Sequence, residues 1–358
     1  MKTVLIAGVT GVVGRAALER FARSEEWRTI ALSRRKPDVE GDYRHLALDL
    51  TDEAACEAAS EEWRAVTHVI FAALHEKPGL VRGWRKQDQM QTNLAMLQNL
   101  LRPLLQVAKN LQHVTLLQGT KAYGAHLHPI KVPAREDAPR DAHENFYWLQ
   151  EDELRAAQRG REWGFTIFRP QIVFGHALGS PMNLLAALGA WAALCREEGR
   201  AFAYTGGAAY LGEAIDADLL AEAFEWAATA PSARGETFNI TNGDVFRWPD
   251  VWPVMARALD VELGAARPLF LAQEAPAREA LWQEIVQRHG LMPSTLASLV
   301  GDSFHYADFV LAPNQKEAPP PVLLSTIKLR QAGFAGCRDT EAMLANWFGR
   351  LRAMRVLP

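Results

Sequence analysis

A tyrosine and a lysine near the middle of the chain are the residues best suited to carry out a reaction. Tyr147 lies where a helix is predicted to begin, in Asn145-Phe146-Tyr147-Trp148, and Lys121 follows a predicted strand within Gly119-Thr120-Lys121. A phenol hydroxyl can donate a hydrogen bond to an oxygen that gains negative charge, and a nearby ammonium adds positive charge. This pair therefore predicts chemistry at a carbonyl group or at an alkene conjugated to one.

The spacing of the two residues is unusual. Short-chain dehydrogenases carry Tyr-x-x-x-Lys on one helix, because residues four apart share a face. None of the six tyrosines here is followed by lysine at that distance, and Tyr147 is followed by Glu151. Two interpretations stay open: a nucleotide-binding protein without catalysis, or a Tyr147 whose cation comes from elsewhere, with Lys121 as the candidate. Tyr123 is the next candidate for the hydroxyl.

The first fourteen residues predict a nucleotide site that would serve such chemistry. Val4-Leu5-Ile6-Ala7 is a continuous apolar run, typical of a strand buried on both faces of a parallel sheet. Gly8, Gly11 and Gly14 follow, and then a helix-like segment. Glycines there permit a tight turn and close approach to a pyrophosphate, which the helix N-terminus attracts. The alternative is an ordinary tight turn between a strand and a helix.

The turn after the second predicted strand indicates which dinucleotide is bound. Enzymes that use NAD place a carboxylate here on the ribose 2′-hydroxyl. This chain has Ser33-Arg34-Arg35 instead, and no acidic residue follows the strand until Asp38. Guanidinium groups match a 2′-phosphate in charge and geometry, so the segment favours NADPH/NADP. The alternative is a solvated basic loop.

The order of segments predicts the fold. Strand-like and helix-like stretches alternate, as in an α/β protein of the Rossmann type with a doubly wound parallel sheet. We expect residues 1–175 to form mainly an NADP-binding domain. Residues 176–358 would form mainly a smaller C-terminal substrate-binding lobe, with elements that return to the Rossmann core. The segment Leu184 to Glu197 is expected to pack in a core, in preference to a dimer face or a pocket wall.

Composition excludes several classes of function. The chain has 358 residues, is 49% hydrophobic, and carries a formal net charge of −3, which provides no field for nucleic acid or an anionic membrane. The cysteines Cys56, Cys195 and Cys337 are far apart, and no His/Cys/Asp/Glu cluster has metal-ligand spacing. No apolar run approaches the roughly 18 residues of a membrane span, and no secretory signal precedes the first strand. A metal-free, cytoplasmic protein is expected.

Six motifs together resemble the progesterone 5β-reductase and iridoid synthase family (PRISE) of atypical extended short-chain dehydrogenases/reductases. They are the glycine turn, residues 33–35, 119–123, 145–152, 168–175 and 325–334, so the resemblance covers nearly the whole chain. The family's catalytic lysine lies in G-x-K-x-Y and its tyrosine in N-F-Y-x-x-x-E-D, which implies catalytic roles for Lys121 and Tyr147. Two positions differ, because Ala122 replaces a histidine common in plant members and Trp148 replaces a second tyrosine of many members.

The resemblance also implies how a cofactor lies on the chain. Ligands of open α/β sheets bind at the carboxyl ends of the strands. Asp49 would meet the adenine amine or, alternatively, cap the following helix, and Ile172 and Val173 would touch the nicotinamide carboxamide. The expected cofactor-binding residues are Gly8, Thr10, Gly11, Val12, Val13, Ser33, Arg34, Arg35, Asp49, Leu50, Ala72, Ala73, Gln118, Gly119, Ile172 and Val173.

The activity that the resemblance implies is NADPH-dependent 1,4-reduction of the activated C=C bond of an enone or enal. NADPH-dependent carbonyl reduction would use the same pair and stays open, as does a non-catalytic NADP-binding redox sensor. A nucleotide-sugar epimerase or dehydratase is disfavoured by the missing Tyr-x-x-x-Lys and by Arg34 and Arg35. The expected partner is a small enone or carbonyl substrate, and a homodimer is an open alternative to a monomer.

Overall fold

Parallel strands form the centre of this computed structural model, which describes residues 1–358 except for the side chains of residues 81 and 82. The strands are β1 (Lys2–Ala7), β2 (Trp27–Ser33), β3 (Arg44–Ala47), β4 (His68–Phe71), β5 (His113–Leu117), β6 (Gly164–Pro170), β7 (Ile172–Phe174), β8 (Phe202–Ala203), β9 (Leu211–Gly212), β10 (Ala214–Asp216), β11 (Glu236–Ile240), β12 (Phe246–Arg247) and β13 (Leu263–Gly264).

Helices surround these strands on both sides. The α-helices are α1 (Val12–Phe21), α2 (Glu53–Ala59), α3 (Gln87–Val107), α4 (Phe146–Gln158), α5 (Leu184–Glu197), α6 (Ala217–Thr229), α7 (Trp248–Ala258), α8 (Leu271–Glu274), α9 (Glu279–His289), α10 (Leu296–Val300), α11 (Ser303–Leu311), α12 (Ile327–Gln331) and α13 (Thr340–Ala353). Short 3₁₀ helices span Ser60–Trp63, Leu80–Arg85, Thr120–Tyr123, Pro231–Ala233 and Pro276–Arg278.

The main sheet has the order β3-β2-β1-β4-β5-β6-β11, and every neighbouring pair in it is parallel. The strand order reverses between β1 and β4. Ligands of doubly wound sheets bind in the crevice that such a reversal opens at the carboxyl ends of the strands. The predicted Rossmann-type α/β fold is confirmed, and the crevice lies where the glycine turn follows β1.

The apolar run of β1 is continuous because the strand is covered on both faces. Val4 and Ile6 pack on one side with Phe21 of α1 and with α6. Leu5 and Ala7 point to the other side, where the leucines of α3 cover them. Side chains alternate between the faces of a strand, so a strand between two helical layers needs apolar residues at every position.

The C-terminal helices form a second core beside the sheet. Helix α5 is buried along almost its whole length, and its Trp191 packs in one cluster with Trp248, Trp252 and Trp282. The expectation that Leu184–Glu197 packs in a core is therefore confirmed. Strand β11 pairs with β6, so this half of the chain also completes the main sheet.

Two properties of the described residues concern other kinds of site. Among the helices that the structure describes, none is both long enough and apolar enough to cross a membrane. Within the same residues, no group of three or more His, Cys, Asp and Glu side chains has the geometry to hold a metal ion.

Candidate active site

The glycine turn after β1 leaves its backbone open to the crevice. Gly8 has φ of +86°, and a Cβ there would lie 2.7 Å from the backbone of Ala72 and Ala73. A Cβ on Gly14 would lie 2.2 Å from the Gly8 carbonyl oxygen. Only glycine fits these two positions. Gly11 is the N-cap of α1, and because it has no side chain it does not cover the first amides of the helix. The turn therefore fits a pyrophosphate held by backbone N–H groups.

The basic segment after β2 lies at the edge of the crevice. Arg34 and Arg35 are exposed and line the crevice. The Ser33 hydroxyl donates to the Arg35 carbonyl oxygen at 2.6 Å, which fixes the bend of this segment. Asp38, the first acid, is bound by the guanidinium of Arg15, which also donates to the Asp38 carbonyl oxygen at 2.9 Å. The Asp38 carboxylate is therefore paired with Arg15.

Asp49 faces the crevice and does not cap a helix. Its carboxylate accepts from the Thr51 amide at 2.9 Å and from the Thr51 hydroxyl at 2.8 Å. The hydrogen bond from the Thr51 amide is the largest cause that lowers the pKa of Asp49. Helix α2 is capped instead by Asp52, which accepts from the Ala55 amide at 2.9 Å. The alternative of Asp49 as a helix cap is wrong, because the chain makes one more turn before α2 begins.

One cavity of about 950 Å³ joins the glycine turn to the predicted catalytic pair. Lys121 and Tyr147 line it, and so does every residue predicted to bind the cofactor. These are Gly8, Thr10, Gly11, Val12, Val13, Ser33, Arg34, Arg35, Asp49, Leu50, Ala72, Ala73, Gln118, Gly119, Ile172 and Val173. Of these, Gln118 offers mainly its backbone, because its side chain is bonded inside the protein.

A single buried asparagine positions both predicted catalytic residues. Asn145 caps α4 by accepting from the Tyr147 amide at 3.0 Å. Its side-chain amide donates to the Lys121 carbonyl oxygen at 3.1 Å. The first turn of α4 is thereby fixed against the 3₁₀ helix that carries Lys121. In the sequence, Asn145 is recognisable only as part of the motif at residues 145–152, and nothing there indicates this role.

The Tyr147 hydroxyl lies above the end of β5. A Cβ on Gly119 would be 3.2 Å from that oxygen, so glycine leaves room for the phenol. Burial raises the pKa of Tyr147, and the nearby Glu76 carboxylate raises it further. The phenol is consequently neutral at ordinary pH and can act as a hydrogen-bond donor.

The Lys121 ammonium lies in a largely aromatic pocket. Its Nζ atom is 4.2 Å from the Trp84 ring centroid and 5.6 Å from that of Tyr147. Burial lowers the pKa of Lys121 to about 8, although Glu76, whose Oε1 is 3.9 Å from Nζ, acts in the opposite direction. The charge is therefore present at neutral pH and lost at mildly alkaline pH.

The residue four positions after Tyr147 has a structural role. Glu151 is buried and accepts from Gln118 at 2.8 Å and from Arg155 at 2.9 Å. Burial alone would raise the pKa of Glu151, yet the bonds from Gln118 and Arg155 hold it below its ordinary value. Gln118 also accepts from Arg169 at 2.8 Å, which connects α4 to β5 and β6. A lysine at 151 would place its charge inside this network and away from the cavity.

Two residues singled out from the sequence do not reach the cavity. The Tyr123 hydroxyl donates to Asn239 at 2.6 Å and accepts from Arg169 at 3.2 Å, in a buried network. These bonds hold the hydroxyl inside the protein, which argues against Tyr123 as the alternative donor. Trp148 packs against the guanidinium groups of Arg140 and Arg169, so its replacement of a tyrosine leaves the cavity wall unaltered.

Other residues of the cavity were not predicted as site residues. Trp84 comes from the segment between β4 and α3, and Tyr306 and Phe309 come from α11. The first segment is visibly polar and aromatic in the sequence, but no spacing indicates which of its side chains face inward. Helix α11 lies far along the chain, and only the tertiary fold brings it here.

Comparison with known proteins identifies the family. Residues 4–241 match the model of the NAD dependent epimerase/dehydratase family. The (S)-8-oxocitronellyl enol synthase of Antirrhinum majus is 31% identical over 379 residues, covering 99% of this chain and 92% of that protein. The 3-oxo-Delta(4,5)-steroid 5-beta-reductase of Arabidopsis thaliana is 29% identical over 373 residues, with 99% and 92% covered.

The chain belongs to the PRISE family of extended short-chain dehydrogenases/reductases. As a member of PRISE it is an oxidoreductase. Solved structures support the fold. The UDP-glucose 4-epimerase of Thermotoga maritima, solved with UDP-glucose, superimposes with a TM-score of 0.69 at 15% identity, covering 98% of this chain and 99% of that one. The Thermus thermophilus UDP-glucose 4-epimerase, solved with NAD, gives 0.66 at 16% identity with the same coverage.

Proposed function

We propose that this protein is an NADPH-dependent reductase of the activated C=C bond of enones or enals. The observation that carries the proposal is the convergence of Lys121 and Tyr147 on the cavity into which the glycine turn opens. Relatives named as an enol synthase and as a 3-oxo-Delta(4,5)-steroid reductase support the substrate class. Both names describe chemistry at a carbonyl-conjugated system.

The proposed cofactor, NADPH, would be held by groups at the cofactor end of the cavity. The amides of Val12 and Val13 at the start of α1 would hold the pyrophosphate, and Arg34 with Arg35 would hold the 2′-phosphate. NADPH, when bound, supplies the hydride. Solved neighbours of the same fold that hold NAD support a dinucleotide in this crevice.

Tyr147 and Lys121 would stabilise the charge that hydride addition creates. When hydride reaches the β-carbon of an enone, the electron pair moves through the conjugated system to the carbonyl oxygen. A neutral Tyr147 hydroxyl donates a hydrogen bond to that oxygen, and the Lys121 ammonium adds positive charge. Water can then protonate the α-carbon, so the reaction requires no second acid from the protein.

The walls near Tyr147 favour an apolar substrate. Phe146, Trp84, Tyr306 and Phe309 line this end of the cavity with aromatic rings. Trp84 and Phe309 pack edge to face, with ring centroids 5.2 Å apart, and so form one continuous wall. Such surfaces bind hydrocarbon through the hydrophobic effect and leave the carbonyl as the polar group to orient.

Product analysis tests the proposal. We expect NADPH to be consumed with a panel of enones and enals, and the product to be the saturated carbonyl compound by mass spectrometry and NMR. Dominance of the allylic alcohol would replace this function with carbonyl reduction. Tight NADP binding without turnover of any carbonyl substrate would indicate a redox sensor, and turnover of a UDP-sugar would indicate an epimerase or dehydratase.

A further inference from the structure

A buried carboxylate beside the predicted catalytic pair takes no part in the mechanism above. We propose that Glu76 is a positioning residue for the reductase reaction, which holds the Lys121 ammonium in place beside Tyr147 and keeps it charged. The proposal rests on the function proposed for Lys121. Glu76 neither touches the reacting atoms nor donates a proton in this account, and it acts through the lysine.

The segment that carries Glu76 is fastened on both sides by buried amides of α3. Asn93 accepts from the His75 amide at 2.9 Å and donates to the His75 carbonyl oxygen at 2.9 Å. One helical turn earlier, Gln89 accepts from the Lys77 amide at 3.0 Å. The backbone is therefore fixed immediately before and immediately after Glu76, although the segment has no regular secondary structure.

Gln89 also orients the carboxylate itself. Its side-chain amide donates to Glu76 Oε2 at 2.7 Å, which leaves Oε1 directed toward Lys121 at 3.9 Å. A Cβ on Gly83 would lie 2.4 Å from Gln89 Oε1, so a glycine makes room for this arrangement. Glu76 Oε1 has no hydrogen-bond partner among the described atoms, so the lysine charge is its electrostatic complement.

The same helix connects Glu76 to the helix of the predicted donor. Gln150 of α4 donates to the Asn93 carbonyl oxygen at 2.8 Å. Tyr147 lies one turn before Gln150, on the same helix. Hydrogen bonds thus connect the segment of Glu76 through α3 to the helix of Tyr147. The Lys121 ammonium lies between Glu76 and the Tyr147 ring.

The balance of charges explains why this carboxylate matters. The side chain of Glu76 is 2% exposed and that of Lys121 is 14% exposed. Burial raises the pKa of Glu76 and lowers that of Lys121, and each partner opposes the shift in the other. Without the carboxylate, burial would act on the lysine unopposed and lower its pKa below about 8.

Other titratable groups around the ammonium do not supply this charge. His126, from the segment after the 3₁₀ helix, has a pKa lowered by burial to about 4. Burial also raises the pKa of Tyr147 on α4 and of Tyr306 on α11, so both phenols are neutral. Arg85 of the Leu80–Arg85 helix is exposed. Within the described side chains, Glu76 is the carboxylate paired with Lys121.

The test is the pH profile of Glu76→Gln, which keeps the size of the side chain and an oxygen for Gln89. The Lys121 charge is needed for turnover and is lost as pH rises through its pKa. We expect the alkaline limb of kcat/KM, which reports pKa values of the free enzyme and lies near pH 8 in the wild type, to move to lower pH in the variant. The expected shift is roughly 1 pH unit or more, as for loss of an opposite charge within about 4–6 Å.

Matched variants separate this role from simple damage. Asp88→Asn removes a carboxylate from the first turn of α3, the helix that carries Gln89. Asp88 is exposed and paired with Lys77, so this variant should leave the profile unchanged. Glu76→Asp retains the charge and should restore much of the alkaline limb. Gln89→Met leaves Glu76 charged but unanchored and should shift the limb in the same direction as Glu76→Gln, by less. An unshifted limb in both Glu76→Gln and Gln89→Met would overturn the proposal.

A direct titration distinguishes failure of this proposal from failure of the proposed function. Protein labelled with ¹³C at lysine Cε reports the Lys121 titration by NMR, with the signal assigned by its loss in Lys121→Met. We expect a midpoint near 8 in the wild type and a lower one in Glu76→Gln. The same midpoint in both proteins would refute the role of Glu76 whatever the substrate is. A lowered midpoint in a protein that reduces no enone would refute the proposed function alone.

Discussion

The two ends of the cavity are built in different ways. At the cofactor end, the wall is formed largely by backbone, and the glycines that permit its close approach are three residues apart in one turn. At the substrate end, the wall is formed by side chains, which come from the segment after β4, from α4 and from α11. A change at the first end should therefore alter cofactor binding, and a change at the second should alter turnover or substrate affinity.

The largest effect should come from the predicted donor. Tyr147→Phe removes the hydroxyl that we propose faces the developing oxyanion, and it should lower kcat by roughly 10²–10³-fold, the range for loss of one such donor. The dissociation constant for NADPH, measured by calorimetry, should stay unchanged, because the cofactor end is intact.

Tyr123→Phe is the matched control for that measurement. Its hydroxyl is bonded to Asn239 and Arg169 outside the cavity, so turnover of the folded variant should match that of the wild type. Equal losses of kcat in the Tyr147 and Tyr123 variants would show that loss of a buried hydroxyl, and not catalysis, explains the effect.

A change at the cofactor end should have a smaller effect, and it should weaken cofactor binding while leaving turnover unchanged. Each charge-assisted hydrogen bond contributes about 1.5–3 kcal/mol, so Arg34→Ala or Arg35→Ala should weaken NADPH binding by roughly 10- to 100-fold. NADH affinity and the kcat at saturating NADPH should change little. Arg28→Ala, an exposed position near the start of the same strand, removes the same charge and should have no such effect. Equal wild-type affinities for NADH and NADPH would contradict the assignment.

The smallest effect should come from the mouth of the substrate end. Phe309 is 44% exposed and forms the outer part of the aromatic wall with Trp84. Phe309→Ala should raise the KM for a bulky apolar enone by about fivefold, corresponding to roughly 1 kcal/mol of lost apolar contact. The KM for NADPH should not change. A steady-state comparison of a bulky and a small enone measures this, and equal changes for both would show that Phe309 does not contact the substrate.

The same contrast explains what could be predicted from the sequence. The spacing of Gly8, Gly11 and Gly14 is a local signal, because the turn that needs them is local. Lys121 and Tyr147 could also be paired, since a strand end and a helix start meet predictably in this fold. Asp49 was harder, because a carboxylate before a helix has the same appearance whether it caps the helix or faces a ligand. In the structure Asp52 caps the helix, which leaves Asp49 facing the crevice.

The role that we propose for Glu76 could not be predicted from the sequence, for a physical reason. An acid in an irregular segment is usually solvated, and this one is buried because Gln89 and Asn93, on a helix that follows it, fix the backbone around it. Tyr306 and Phe309 depend in the same way on how α11 packs against the sheet. A signal was present only in the aromatic and charged composition of the segment from His75 to Arg85.

The pairing of β6 with β11 has a consequence for how the molecule can be divided. Strand β11 comes from the second half of the chain and covers what would otherwise be the open edge of the sheet, with Phe238 aligned with Phe168. A fragment that ends at residue 175 would expose the unpaired backbone of β6, an apolar edge of the kind that recruits other chains. The nucleotide-binding half is consequently not a transplantable module. The protein must be synthesised well beyond that half before its sheet is complete, and its two halves gain their stability together.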